Sequence, residues 1–543
     1  MPRRVHRVSA LKGPAEGALM AAMRIARSAS VVGLATLVSR VLGLARDMII
    51  LSIFPPMLTD AFYAAFRLPS TLRYLMGEGA MSAAFIPVFS DYLRNKTRRE
   101  AWELVSAVAI LLLAATALVA GACMAFAPWI VRAVLWGFSS NPEKFRITVG
   151  LVRWLFPYLV FVSLVALCMG VLNSLKHFAM PSVSQAAFNA VVIASALFLV
   201  PRWGGGPEKQ IYALGLGVLL GGAVQLAMQL PALRAKGFTL VIGRVATHPE
   251  IRRILRLMVP ATVGLAVYHV DLLVDNLVAS LLSQGSVTYL YAATRLIQFP
   301  MGTFVIGIST VAFPLMAGYA VTREFEKLKE AMNYALRLAF FIVIPASAGL
   351  IVLGKPIIRL LYERGEFLAA RSTGPTYLAL LYYSFGLYAV GGVSVVARCY
   401  YSIEDMRTPV RVAGIALLVN TALDFILMRP LGHGGIALAT SISTSLNLFL
   451  LLWLLRRKIG GLGLRRVGRS LLKIAAATAS MSAVAWGAHR AVAAVAAGNR
   501  LGPRSAQVFI PLLAGVAAYA LTALAVRSPE LGELWQEFRG RRE

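Results

Sequence analysis

Fourteen stretches of about twenty mostly apolar residues follow one another along this chain, and nothing else in it constrains the fold so tightly. An α-helix rises 1.5 Å per residue, so about 20 residues cross the ~30 Å hydrocarbon core of a bilayer. Inside that core a backbone finds no water, and a helix satisfies its N–H and C=O groups internally. The runs fall at 28–51, 58–90, 103–126, 149–172, 181–200, 210–233, 255–283, 288–320, 332–353, 374–401, 409–428, 433–455, 470–492 and 508–527. The pattern predicts an all-α polytopic membrane protein with about 14 transmembrane helices. The second and eighth runs are long and carry Pro and Gly, so bends or breaks are expected there.

Composition supports the same class. Of 543 residues, 58% are hydrophobic and 14% charged, too few charges to cover a soluble protein of this size. The net charge of +30 would in a soluble protein point to nucleic acid. Here the basic residues gather in the breaks between apolar runs, and no nucleic-acid-binding motif accompanies them, so no nucleic acid is expected as partner. The connections at 92–100, 234–256 and 456–469 are rich in Lys and Arg, whereas alternate connections are poorer and 362–371 carries mixed charge. This is the positive-inside pattern, and with fourteen spans it puts both termini in the cytoplasm. Residues 1–27 read as a basic cytoplasmic tail, partly disordered, with Met23 as a second candidate start. Residues 529–543 read as a cytoplasmic C-terminal tail.

An internal repeat divides the spans. "YAAFRL" at 63–68 returns as "YAATRL" at 291–296, an offset of 228 residues. The same offset relates Ser174 and Pro181 to Ser402 and Pro409. Two six-helix lobes are therefore expected, at 28–240 and 250–458, with two further spans at 469–528. An equal offset across an even number of spans makes a parallel repeat, and transporters built this way place substrate between the halves.

Within the apolar runs stand charges that lipid does not tolerate. Arg40, Arg46 and Asp47 lie in the first span, Asp60, Arg67, Arg73 and Glu78 in the second, and Arg295 in the eighth. Each would cost roughly 2.5–3.5 kcal/mol at the bilayer centre. Some could snorkel to the interface or sit in buried ion pairs. Arginines on spans 1, 2 and 8 can share one space only if the halves face each other. A cavity so lined suits a phosphate or diphosphate, because guanidinium offers a fixed fork of donors and keeps its charge. A second set is acidic: Asp271 and Asp275 on the seventh span, Asn420 and Asp424 on the eleventh, with Thr440 following on the twelfth. Asp275, Asn420, Asp424 and Thr440 make a candidate oxygen cage for a small hard cation. Cys123, Cys168 and Cys399 fall in apolar runs at unrelated spacings and read as packing residues. No metal-ligand motif, paired catalytic carboxylates or His-based phosphatase motif is present, so the chain is not expected to be an enzyme and needs no resident cofactor.

The segments "SRVLGLARD" (39–47), "DAFYAAFRLPSTLRYLMGEGAMSAAFIPVF" (60–89) and "ARCYYSIEDMRTPVRVAGIALLVN" (397–420) resemble the MurJ (MviN) family of lipid II flippases, in the MOP exporter superfamily. The resemblance implies two pseudo-symmetric lobes forming a V, alternating between inward- and outward-open states. It implies a bacterial inner-membrane protein that acts as a monomer among membrane lipids. Its cargo would be lipid II, the undecaprenyl-diphosphate-linked peptidoglycan precursor, moved from the inner to the outer leaflet. Carried onto this sequence, the substrate-binding positions are Ser39, Arg40, Arg46, Arg73 and Arg295, with acidic positions Asp47, Asp60 and Glu78. Spans 13 and 14 would form a groove for the lipid tail. Some relatives have a sodium site in the second lobe, which makes Na⁺ a candidate coupling ion at Asp275, Asn420, Asp424 and Thr440. Two positions depart from the family pattern: the turn after the first span is "FPPM" rather than Gly-rich, and Thr294 stands where an acidic residue often precedes the eighth-span arginine. The alternative is a related MOP-type flippase or exporter of another lipid-linked oligosaccharide. A cationic-drug exporter would line its cavity mainly with carboxylates instead.

Overall fold

The structure is a computed structural model that describes residues 14–75, 79–241, 249–496, 498 and 500–532, and among these the backbone forms helices and turns with no strand. The first helix, α1 (Pro14–Ile53), is continuous for 40 residues and begins inside the segment expected as a tail. The "FPPM" turn then works as a stiff helix start. Pro55 is the N-cap and Pro56 the first residue of α2 (Pro56–Arg73), where a fixed φ suits the helix and no N–H is needed. α2 and α3 (Gly79–Asn95) together make the second span. α4 (Arg98–Ala125) opens on a capping box between Thr97 and Glu100. The short α5 (Ala127–Val134) leads to α6 (Pro142–Leu155), α7 (Tyr158–Ser174), α8 (Ala179–Ala194) and α9 (Pro207–Ala235).

The second half repeats this plan. α10 (Pro249–Ser280) is followed by α11 (Ser286–Pro300), a π-turn over Met301–Val305, and α12 (Ile306–Val321). Then come α13 (Phe325–Leu361), the one-turn α14 (Gly365–Ala369), α15 (Thr373–Ser402), α16 (Arg407–Leu431) and α17 (His433–Ile459). α18 (Arg465–Val495) and α19 (Leu501–Ala525) complete the chain. The regular α ladder gives way at repeat-equivalent places in the two spans expected to bend or break: α2 ends at Arg73 and the π-turn of span eight begins at Met301, 228 residues later.

Ten helical stretches among the described residues are long and apolar enough to cross a membrane. The remaining four expected spans are the first, second, seventh and eighth. These carry Arg40, Arg46, Arg67, Arg73 and Arg295 and the π-turn, and they meet between the halves. One core is shared by both repeats, joining Phe54, Leu58, Ala61 and Leu155 to Val278, Ala292, Leu296 and Ile436. A second core lies within the later lobe and takes in Ile474, Ala477 and Ala523, so α18 and α19 are packed onto that lobe. Glu530, just past α19, is fully buried and accepts from Arg337 (3.0 Å) and Ser470 (2.7 Å). The start of the expected C-terminal tail thus folds back into the protein, and its residues 533–543 lie outside the described ones.

Candidate substrate site and gates

Arg46 and Arg295 come from different lobes and meet on one carboxylate. Arg46 donates from Nε and Nη2 to Asp47 Oδ1 at 3.0 and 2.7 Å. Arg295 Nε lies 2.8 Å from Asp47 Oδ2. Tyr291, one turn before Arg295 on α11, accepts from both guanidiniums: from Arg295 at 2.6 and 3.0 Å and from Arg46 at 3.3 Å. Asn189 of α8 closes the network, accepting from Arg46 Nη1 at 3.1 Å and donating to the Ser39 carbonyl at 3.0 Å. The Tyr291 ring stacks on Tyr63, with centroids 3.8 Å apart. These tyrosines are repeat equivalents at the 228-residue offset, so the two halves touch through matching residues.

The space around Arg46 is closed in this state, whereas Arg40 and Arg295 stay partly exposed. Asp47 is 1% and Arg46 7% exposed, and the free space beside Arg46, Tyr63 and Tyr291 is about 10 Å³. That is no more than one water's room. Arg46 is ion-paired and hydrogen-bonded inside the protein, which offsets part of the cost of burying its charge, while the Arg295 side chain stays about a third exposed. Two cations share one anion here, so the knot keeps a net positive charge.

The other expected residues are distributed around this knot. Arg40 reaches across the lobes and donates to the Gly302 carbonyl at 2.9 Å, within the π-turn of span eight. A π-turn leaves carbonyls off the regular ladder, which is what makes that oxygen accessible. Arg73 lies over the ring of Tyr74 (4.3 Å), and Tyr74 stacks on His269 of α10 (4.9 Å), away from Asp47. Glu78 lies outside the described residues. Thr294 donates its hydroxyl to the Leu290 carbonyl on its own helix.

Asp60 belongs to a different place, the end of the molecule away from the Lys/Arg-rich connections, hereafter the outer end. Its carboxylate accepts from Gly285 N (2.7 Å), Thr288 N (2.8 Å), Thr288 Oγ1 (2.7 Å) and Lys144 Nζ (2.8 Å). Gly285 is the N-cap of α11 and has no side chain to cap with. A carboxylate from the opposite lobe therefore caps the helix and meets its positive dipole end. Nearby, Gly137 N donates to Ser280 Oγ at 3.1 Å. The lobes are joined at the outer end.

The acidic set converges, but not as a ready cage. Asn420 donates its amide nitrogen to Asp271 (3.0 Å), Asp275 (3.0 Å) and Asp424 (3.3 Å). Its oxygen faces away and accepts from Ser443 at 3.1 Å. Thr440 does not join the group: its hydroxyl returns to the Ile436 carbonyl one turn back. Among the described residues no group of three or more His, Cys, Asp or Glu is arranged to hold a metal ion. The three carboxylates converge on the Asn420 amide nitrogen rather than on an open cation position, and the buried Asp424 Oδ1 has no hydrogen-bond partner. The three cysteines are free.

Sequence reasoning missed Asn189, Tyr291, Lys144 and Thr288. Tyr291 had a signal, since it opens the repeated "YAATRL" motif. Lys144 and Asn189 had none.

Two lobes of repeated spans meeting on intramembrane charges define a polytopic transporter, and the fold agrees. A solved structure described as the inward-facing conformation of a multidrug resistance MATE family transporter of the MOP superfamily matches with a TM-score of 0.67. At 16% identity, over 78% of this chain and 95% of that one, it shows the fold alone. The family is narrower. The family model described as "Lipid II flippase MurJ" matches residues 52–499. The lipid II flippase MurJ of Burkholderia cenocepacia is 33% identical over 441 residues, 80% of this chain and 84% of that protein. A protein of Vibrio cholerae named "Probable lipid II flippase MurJ" is 36% identical over 438 residues, 79% and 82% of the two chains. A solved "Lipid II flippase MurJ, inward closed conformation" aligns with a TM-score of 0.74 and 27% identity, covering 91% of this chain and 98% of that one. The chain belongs to the MurJ family of lipid II flippases.

Proposed function

We propose that this protein carries lipid II from the inner to the outer leaflet of a bacterial inner membrane by alternating access, with both termini cytoplasmic. The observation that carries the reading is the meeting of Arg46 from α1 and Arg295 from α11 on Asp47 and Tyr291. An arriving diphosphate is a stronger bidentate acceptor than one shared carboxylate, so it displaces Asp47 and binds the two lobes together around itself. When it leaves, Asp47 and Tyr291 take the guanidiniums back, and no unpaired charge faces lipid. The polyprenyl tail stays in the bilayer and follows the faces of α18 and α19. Catalysis has no part in this cycle; substrate enters and leaves chemically unchanged.

Resetting of the empty carrier draws on the acidic set. Asp271, Asp275 and Asp424 gather around Asn420, and three such carboxylates are relieved by taking up protons or a cation. Na⁺ entering there, with the Asn420 amide turned to present its oxygen, would be that cation.

The test is transport of fluorescent or radiolabelled lipid II in proteoliposomes, paired with depletion in the host. Flipping by the purified protein, with inner-leaflet lipid II accumulating on depletion, is the expected result. Absence of flipping by correctly folded protein, with normal wall synthesis in a depleted strain that has no second flippase, refutes the reading. Asp424→Asn should remove any dependence of transport on Na⁺. An unchanged Na⁺ dependence in that variant rules out the ion site and leaves the cargo assignment standing.

A further inference from the structure

A cavity of about 510 Å³ opens on the earlier lobe, far from the arginine knot, between α4, α7 and α9. Its walls are apolar, formed by Val105, Leu164, Cys168, Val171 and Leu230, and Arg234 stands at its end. That volume lies within the range of about 300–1,000 Å³ typical of small-molecule sites. The wall residues of α9 run from Leu226 to Arg234. At 1.5 Å per residue this is about 12 Å, close to the depth of one leaflet of the ~30 Å core. Arg234 lies in the last turn of α9, where the Lys/Arg-rich connection begins, so the cavity occupies the half of the span next to that basic end.

The roof is built by the chain itself. After α9 the backbone turns at Gly237, with φ +87°, and Phe238 N bonds back to the Leu233 carbonyl at 3.1 Å. A residue with a Cβ is strained at that φ, which is the usual reason for glycine at a helix C-terminus. Phe238 then packs edge-on to Trp102 (5.5 Å), and Val241 N donates to Ser106 Oγ at 3.1 Å, pinning the segment against α4. Arg234 is exposed, and its guanidinium makes no ion pair among the described residues. Lys236, also exposed, follows two residues later.

We propose that this cavity is a binding site for an anionic glycerophospholipid, one acyl chain lying in the cavity and the headgroup phosphate on Arg234. A chain leaving bulk lipid for an apolar pocket exchanges one hydrocarbon environment for another, so burial alone gives little preference. Selectivity must come from the polar end. A guanidinium at the interface offers paired donors to a phosphate and favours a net negative headgroup over a zwitterionic one. The bound lipid also braces the segment 236–241, the start of the connection between the two lobes. The site is independent of the cargo the protein carries.

Photocrosslinking in liposomes tests this, using phosphatidylglycerol or phosphatidylcholine with a diazirine near the end of one acyl chain and mapping adducts by peptide mass spectrometry. Adducts on α4 and α7 residues of the cavity wall are expected, several-fold more abundant with phosphatidylglycerol. Arg234→Gln should abolish that headgroup preference, and Ala109→Phe, which fills the cavity from α4, should remove the adducts from both lipids. Equal labelling by the two lipids in the unaltered protein overturns the proposal, as does a lack of adducts on the cavity wall. Labelling that survives Ala109→Phe in a folded protein also overturns it, because the lipid is then only annular. Labelling of the wall by a polyprenyl-phosphate probe in preference to phosphatidylglycerol would likewise overturn the assignment.

Discussion

Replacing Asp60 with Asn removes the charge that joins the lobes at the outer end while keeping the side chain's shape. Asp60 is 1% exposed and Lys144 7% exposed, and the carboxylate accepts four hydrogen bonds, three of them from the opposite lobe. Stranding a buried charge by removing its partner costs about 3–5 kcal/mol. Losing a helix cap adds about 1 kcal/mol. Part of that cost falls on Lys144 in any conformation, because it belongs to the same lobe as Asp60. The share specific to the closed state comes from the contacts to Gly285 and Thr288. Taken as about 2–3 kcal/mol, it shifts the closed-to-open ratio by a factor of about 30 to 150. Spin labels at Ser140→Cys and Gln284→Cys, in a background lacking the three native cysteines, report the separation of the outer ends by pulsed EPR. Asp60→Asn should move the distribution to longer distances. Adding Lys144→Met should recover stability, since both members of the pair are then gone, but leave the distances long. An unchanged distance distribution in a folded Asp60→Asn protein refutes the view that this carboxylate latches the outer end.

Arg46→Lys and Arg295→Lys keep the charge and lose the fork, so each should lower lipid II transport in proteoliposomes by about tenfold or more while the protein still folds; full activity of both removes the bidentate argument. A Cβ at Gly137 would stand 2.1 Å from the Ser280 carbonyl oxygen, a backbone atom that cannot step aside alone. Gly137→Ala should therefore hold the outer ends apart, at about 1–3 kcal/mol, read by the same EPR pair. Asp405, in the basic-end turn before α16, is partly buried, but Lys458 (2.7 Å) and Thr408 outweigh that and hold its carboxyl down to about 2. A depressed value means the contribution is complete above about pH 4 and is lost as pH falls through 2. With Lys458 about half exposed, Asp405→Asn should cost about 1 kcal/mol at pH 7 in thermal unfolding, and the gap to wild type should narrow between pH 4 and pH 2.

Much of the frame was legible because it rests on short-range rules. Span length, basic connections and the 228-residue offset gave the helices, the two halves and the spans where the regular α ladder gives way, and the structure puts those places at equivalent positions. The site was legible in its members but not in its pairing. Arg46 and Arg295 were identifiable as charges that must avoid lipid, yet an open cavity and a closed knot on Asp47 demand the same residues. Sequence specifies the donors, and the conformational state decides which acceptor they hold. Asp60 was grouped with the arginines because both lie in the membrane. Its partners Lys144 and Gly285 are 84 and 225 residues away, and one is a backbone N–H that no side-chain pattern reveals. Asn420 failed for a smaller reason: its amide carries a donor and an acceptor on one carbon, and the carboxylates around it select the donor.

The repeat also shows how a symmetric frame acquires asymmetric chemistry. Asp47 and Asp275 are equivalent at the 228-residue offset, on α1 and α10. Asp47 lies between Arg46 and Arg295. At the positions equivalent to Arg46 and Gly43 the second lobe has Val274 and Asp271, so Asp275 loses the arginine and gains a carboxylate neighbour. Asn420 then ties both to Asp424. In the proposed cycle one inherited aspartate is the counter-ion that the anionic cargo displaces, and its copy sits in the acidic cluster proposed to take Na⁺. Were both lobes to keep the first pattern, the empty carrier would hold its cations paired on either side, with no acidic site through which a cation could act. Were both to keep the second, no fork of donors would face the diphosphate. A valine in place of the arginine and an aspartate in place of the glycine would separate the two proposed tasks, while the offset-matched tyrosines, Tyr63 and Tyr291, still stack across the halves.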